Sequence, residues 1–103
     1  MRTIAVDFDL VIHDGYRGYD DGSLYGEPIE GAKFTLDNLI KKYNVVILTS
    51  RTEEEWPKMR VWLEKYQLPQ LEITNTKPKN MQALIDNRAI RFVSWADVAS
   101  YFL

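Results

Sequence analysis

Ile4-Ala5-Val6-Asp7-Phe8-Asp9 is a short apolar run that ends in two carboxylates two residues apart. Continuous and β-branched, it reads as a buried strand over residues 3–8. Positions i and i+2 of an extended strand project to the same side, so Asp7 and Asp9 are expected side by side at the strand's carboxyl end. That is the end where α/β sheets place their ligands. Two like charges that close are costly unless a cation, a shared proton or water compensates them. A bound divalent metal is the simplest compensation.

Outward from this strand the chain alternates. Pro28 opens a predicted helix whose apolar face is Ile29, Ala32, Leu36, Leu39, Ile40 and Tyr43, and Asn44 ends it. Val45–Leu48 is a second buried strand, with Thr49-Ser50-Arg51 at its exit. The next helix carries two start signals: Thr52 with Glu55 fits a capping box, and Pro57 suits a first turn. Its regular part is predicted from Trp56 to Tyr66. Leu71–Thr74, Ala83–Ile85 and Ile90–Val93 are three more strands, and Ser94 caps a last helix through Trp95, Val98, Ala99 and Phe102. Strands alternating with helices imply right-handed crossovers. The expectation is one α/β domain over residues 1–103, a three-layer, doubly wound, Rossmann-like fold with a mainly parallel five-stranded sheet. Asp7/Asp9, Thr49/Ser50 and Asp86 each follow a predicted strand, so a parallel sheet gathers them at one edge.

The composition is that of a globular protein: 103 residues, 46% hydrophobic and 27% charged, with a net charge of −2. This bulk charge does not predict nucleic-acid binding. Locally, residues 1–30 carry seven acids against Arg2 and Arg17, while residues 77–91 carry Lys77, Lys79, Arg88 and Arg91 against Asp86. Without cysteine there is neither disulfide nor thiol chemistry. No secretory leader and no apolar run of about 18 residues is read, which makes a cytoplasmic location the expectation and membrane insertion not one. Residues 10–27 form one long irregular stretch holding Tyr16, Tyr19, Tyr25 and the sole histidine, His13. A loop of that length is a candidate flap over a site.

Two carboxylates, a hydroxyl, a lysine and a further carboxylate are the parts phosphoryl transfer needs. A carboxylate attacking a phosphate dianion faces repulsion that magnesium and a cationic side chain remove. Magnesium takes about six hard oxygens and keeps several waters, so a few carboxylate or carbonyl oxygens from Asp7, Asp9 and Asp86 suffice.

In VDFDLVIHDG, ILTSR, TKPK and ALIDNRAIRF the chain resembles, over nearly its whole length, the small capless members of the haloacid dehalogenase superfamily of phosphohydrolases. The resemblance implies a magnesium-dependent phosphomonoester hydrolase. Asp7 is then the nucleophile, forming an aspartyl-phosphate, and Asp9 the general acid and later the base. Asp7, the Asp9 carbonyl and Asp86 hold magnesium, with Asn87 as a possible further ligand where relatives often have a second acid. Thr49 or Ser50 holds a phosphate oxygen, and Lys77 or Lys79 neutralises the phosphate. Leu10-Val11 stand where the family usually has small or hydroxyl residues. No separate cap domain fits between residues 10 and 27.

Two other classes use such a fold. A non-catalytic binding domain is one. A receiver-type phosphoacceptor domain is the other, although its phosphorylated aspartate follows the third strand, where this chain has Thr74-Asn75. The expected partner is a small-molecule or polymer-end phosphomonoester, a nucleic-acid end included, and a second copy of the chain is a candidate shield for an open site. The substrate itself is not legible.

Overall fold

A computed structural model describes residues 1–15, 24–86 and 90–103, with the backbone alone at 90 and 91. In chain order the elements are β1 (Thr3–Asp7), α1 (Ala32–Leu39), β2 (Asn44–Leu48), α2 (Trp56–Lys65), β3 (Glu72–Thr74), β4 (Met81–Asp86), the two-residue β5 (Ile90–Arg91) and α3 (Trp95–Phe102). The fold is α/β, with three helices on a parallel sheet of order β3-β2-β1-β4-β5. β1 is central, and Ile4, Ala5 and Val6 are all fully buried. Successive residues of a strand face opposite ways, so β1 is covered on both sides, which is why its sequence does not alternate.

The register sorts the sheet into two unlike faces. Ile4, Val6, Val45, Ile47, Ile73 and Ile85 share one of them. They form one continuous core with Leu36 and Leu39 of α1, Met59 and Leu63 of α2, and Trp95 and Val98 of α3. Ala5 and Val46, on the opposite face, are buried outside that core. Among the described residues the helices therefore form a single layer, and the predicted three layers are corrected to two. The reason is chain length. Only residues 75–80 join β3 to β4, too few for a crossover helix. A right-handed crossing in that direction runs over the face away from α1 and α2. This strap carries Lys77.

Two helix boundaries also differ from the sequence reading. Pro28 is not helical but bridges His13 in antiparallel fashion, and the Ile29 N–H donates to the Ile12 carbonyl at 2.9 Å. These tertiary pairings hold residues 28 and 29 extended, and α1 starts only after Gly31. At φ 89° Gly31 is left-handed, and a Cβ there would come within 2.9 Å of Trp95 Cβ, so glycine is required twice over. The two start signals before α2 are both used: Thr52 opens a 3-10 turn, Glu53–Glu55, and Pro57 then occupies the first turn of α2. No helix among the described residues is long and apolar enough to cross a membrane.

Candidate functional site

The carboxyl ends of β1, β2 and β4 border a cavity of about 580 Å³ on the helix-free face of the sheet. Asp7, Thr49, Ser50, Lys77 and Asp86 line it, together with Asn75, Leu48 and Leu84. From β1 the chain moves toward β2 and from β4 toward β5, so strand order reverses between them, and α/β sheets open a crevice at such a point. Asp7 is half-buried, and its Oδ1 accepts the Phe8 N–H at 2.8 Å. Thr49 is buried; its N–H donates to the Thr74 carbonyl at 2.9 Å and its Oγ1 accepts the Arg51 N–H at 3.1 Å. A hydroxyl that accepts in this way can still donate. Ser50 and Lys77 are exposed at the rim. Lys79 is exposed too but, among the described residues, lies outside the lining, so Lys77 is the lysine brought to the carboxylates.

Asp9 has different surroundings. Strand geometry stops at Asp7, because the Phe8 carbonyl accepts the N–H groups of Val11 (3.4 Å), Ile12 (2.9 Å) and His13 (2.9 Å), and Leu10 turns the chain at φ 66°. The alternation that would place Asp9 beside Asp7 is broken. Arg51 instead grips the Asp9 carboxylate with two prongs, Nε to Oδ2 and Nη2 to Oδ1, both at 2.9 Å. His13 Nδ1 meets Oδ1 at 2.9 Å, and Arg51 Nη1 reaches Glu55 Oε2 at 3.0 Å.

His13 is fully buried, and its Nε2 accepts the Gly26 N–H at 3.0 Å. A backbone N–H can only donate, which assigns the ring hydrogen to Nδ1, pointing at Asp9. Gly26 has no room for a side chain: a Cβ would run into the Asp14 carbonyl and lie 3.0 Å from His13 Nε2. Burial pushes the Asp9 carboxyl up, but the hydrogen bonds from His13 and Arg51 and the Arg51 charge outweigh it and hold Asp9 below its ordinary value. Burial likewise pulls Arg51 down, and Asp9 and Glu55 more than restore it.

The three tryptophans hold this cluster in place. Each indole N–H donates to a carbonyl of a segment that carries it: Trp56 to Arg51 at 3.1 Å, Trp62 to Gly26 at 3.0 Å and Trp95 to Val11 at 3.0 Å. Phe8 stacks on the His13 ring at 5.4 Å, and Trp62 meets both edge-on. Among the described residues no buried side-chain polar atom lacks a partner. Sequence reasoning left His13 as a loop residue and Arg51 as a strand-exit residue. The available signals were a lone histidine four residues after Asp9 and an arginine directly after the hydroxyl pair.

Among the described residues no group of three or more His, Cys, Asp and Glu side chains is placed to hold a metal. The cavity offers two carboxylates, Asp7 and Asp86, at the ends of adjacent strands, and among the described residues Asp9 lies outside its lining. Hard oxygens completed by water fit magnesium, and the lack of nitrogen or sulfur donors does not fit zinc. Asn87, like Tyr16, Tyr19 and Arg88, lies outside the described residues.

No family model and no curated protein matches the chain. One solved structure, of a conserved protein from Bacteroides thetaiotaomicron, is similar with a TM-score of 0.68 and 22% identity, over 94% of this chain and 85% of that one. A likeness at that identity establishes a shared fold and leaves the chemistry to the site.

Proposed function

We propose that this chain is a magnesium-dependent phosphomonoester hydrolase acting through Asp7, and that its sheet is the five-stranded, Rossmann-like sheet of a small capless haloacid dehalogenase-type domain. The observation that carries this reading is the meeting of Asp7, Asp86, Thr49, Ser50 and Lys77 in one cavity, from four separate parts of the chain. In the proposed reaction an Asp7 carboxylate oxygen attacks phosphorus, the bond to the leaving oxygen breaks, and the leaving oxygen takes a proton. Water then attacks the aspartyl-phosphate, giving up a proton and releasing inorganic phosphate and free Asp7. Lys77 and the Thr49 or Ser50 hydroxyl orient the phosphate and offset its charge. Magnesium, held by Asp7, Asp86 and the Asp9 carbonyl, would neutralise phosphate charge.

Asp9 is the acid–base group in this scheme. Ionised in the grip of Arg51, it is in the form that takes the proton from water. To protonate a leaving group it must first come out of that grip, since a carboxyl cannot keep both oxygens on a guanidinium and also carry a proton. The same observation favours a second reading, a non-catalytic domain that binds phosphorylated ligands in this cavity.

Phosphate release from an aryl phosphate, with magnesium and with a chelator, separates the two. Metal-dependent turnover in the wild type that falls roughly a thousandfold or more in Asp7→Asn supports the hydrolase. Turnover surviving intact in Asp7→Asn, or indifferent to the chelator, overturns it.

A further inference from the structure

The geometry points to a substrate class for this cavity: a phosphomonoester that carries an apolar ring close to its phosphate. The inference rests on the phosphate-binding part of the reading above, not on turnover. A phosphate group fills a small part of about 580 Å³, a volume typical of sites for whole organic ligands. The rest of the wall is mostly uncharged. Leu48 pairs with Asp7 across β2, and Leu84 pairs with Ala5 across β4, so the two leucines flank β1 on opposite sides.

Both leucines are only half-buried, although they lie on a parallel sheet next to its central strand, where full burial is the rule. Leu48 stands level with Asp7 and Leu84 level with Ala5, two residues further back along the strand, so the leucines form a diagonal apolar wall beside Asp7 and Asp86. Ala5 is fully buried beneath this wall. The strap from β3 to β4, too short to form a covering helix, leaves the wall open and adds Asn75 and Lys77 to the lining.

A ring laid on this wall covers the leucines with apolar surface and presents its edge to the Asn75 amide, which both donates and accepts. A polyol in the same place would lose water against the leucines without gaining partners.

The test is calorimetric binding, with magnesium, of phenylphosphonate and methylphosphonate, which share the anion and differ in the ring. Phenylphosphonate is expected to bind roughly tenfold tighter or better. That advantage should shrink to within about twofold in Leu84→Thr and in Leu48→Thr, with Thr chosen to preserve strand structure. Equal binding of the two probes, an advantage that survives both substitutions, or no binding of either probe overturns the inference. A nucleoside 5′-monophosphate binding tighter than phenylphosphonate would place the ring one sugar away from the phosphate and overturn the inference as stated, and the reverse order supports it. Ring-dependent binding without hydrolysis of phenyl phosphate leaves this inference standing and removes the hydrolase reading, so the two fail separately.

Discussion

The cavity around Asp7 and the cluster around Asp9 start two residues apart in the chain, and they place their carboxylates in different settings. Asp7 faces a roomy cavity whose cation, Lys77, sits on an exposed strap. Asp9 and Arg51 are 12% and 8% exposed, with His13 fully buried beside them, and their hydrogen bonds are made within the protein. A cavity of the first kind suits a ligand that brings its own charge. A cluster of the second kind fixes the chain around it, here through three tryptophans that bond the carbonyls of Arg51, Gly26 and Val11. Within Asp7-Phe8-Asp9 one carboxylate faces a cavity and the other is held by side chains of the protein. Substitutions in the cluster should therefore act on stability first, whereas substitution of Asp7 acts on turnover.

The sharpest break is Arg51→Ala. Removing one partner of a buried pair leaves the other charge stranded, so the variant should lose about 3 kcal/mol in urea denaturation. Acid should then separate wild type from variant. Because Asp9 titrates lower in the folded protein than in the unfolded chain, it adds stability above the ordinary carboxyl range and loses it as pH falls through its folded value. Without Arg51 that acid-side decline should flatten. A loss under about 1 kcal/mol would make the pair a surface-type contact and erase the contrast with Asp7.

His13 sharpens the comparison from the other side of the carboxylate. An asparagine amide can stand in for Nδ1 and keep the bond to Asp9, while a glutamine oxygen can reach the Gly26 N–H and give up Asp9. The bond to the charged group is the stronger of the two. His13→Gln should therefore cost about 2–3 kcal/mol and His13→Asn about 1–2 kcal/mol, both by chemical denaturation. The opposite order would mean that the Gly26 peptide, and not Asp9, is what His13 is buried to hold.

Most of the cavity was legible because strand exits in a parallel sheet share one edge: Asp7, Thr49, Ser50 and Asp86 could be gathered by locating strands alone. The surroundings of Asp9 were not, because they depend on the Phe8 carbonyl accepting three N–H groups, which ends the strand before alternation reaches Asp9. The start of α1 was hidden for a similar reason. Pro28 and Ile29 carry good helix signals and are held extended by His13 and Ile12, partners distant in sequence. The missing helical layer was in principle readable. With strands at Leu71–Thr74 and Ala83–Ile85 the predicted connection is only eight residues, already too short for a crossover helix, and the observed start at Met81 leaves the six residues 75–80 to cross the sheet.

Leu10 gives the smallest expected effect and tests the turn that brings His13 back to Asp9. It is the residue at φ 66°, a left-handed conformation that costs a leucine roughly 1–2 kcal/mol, and it is 42% exposed, so it contributes little packing to offset that cost. Glycine adopts the conformation freely but loses about 0.5–1 kcal/mol more backbone entropy on folding. Leu10→Gly should therefore stabilise the protein by roughly 0–1.5 kcal/mol, read as a small rise in the denaturation midpoint. Destabilisation would show that the leucine side chain is held by contacts that outweigh its strain. The turn would then be fixed by Leu10 itself, and the return of His13 to Asp9 would depend on that side chain as well as on the bonds to the Phe8 carbonyl.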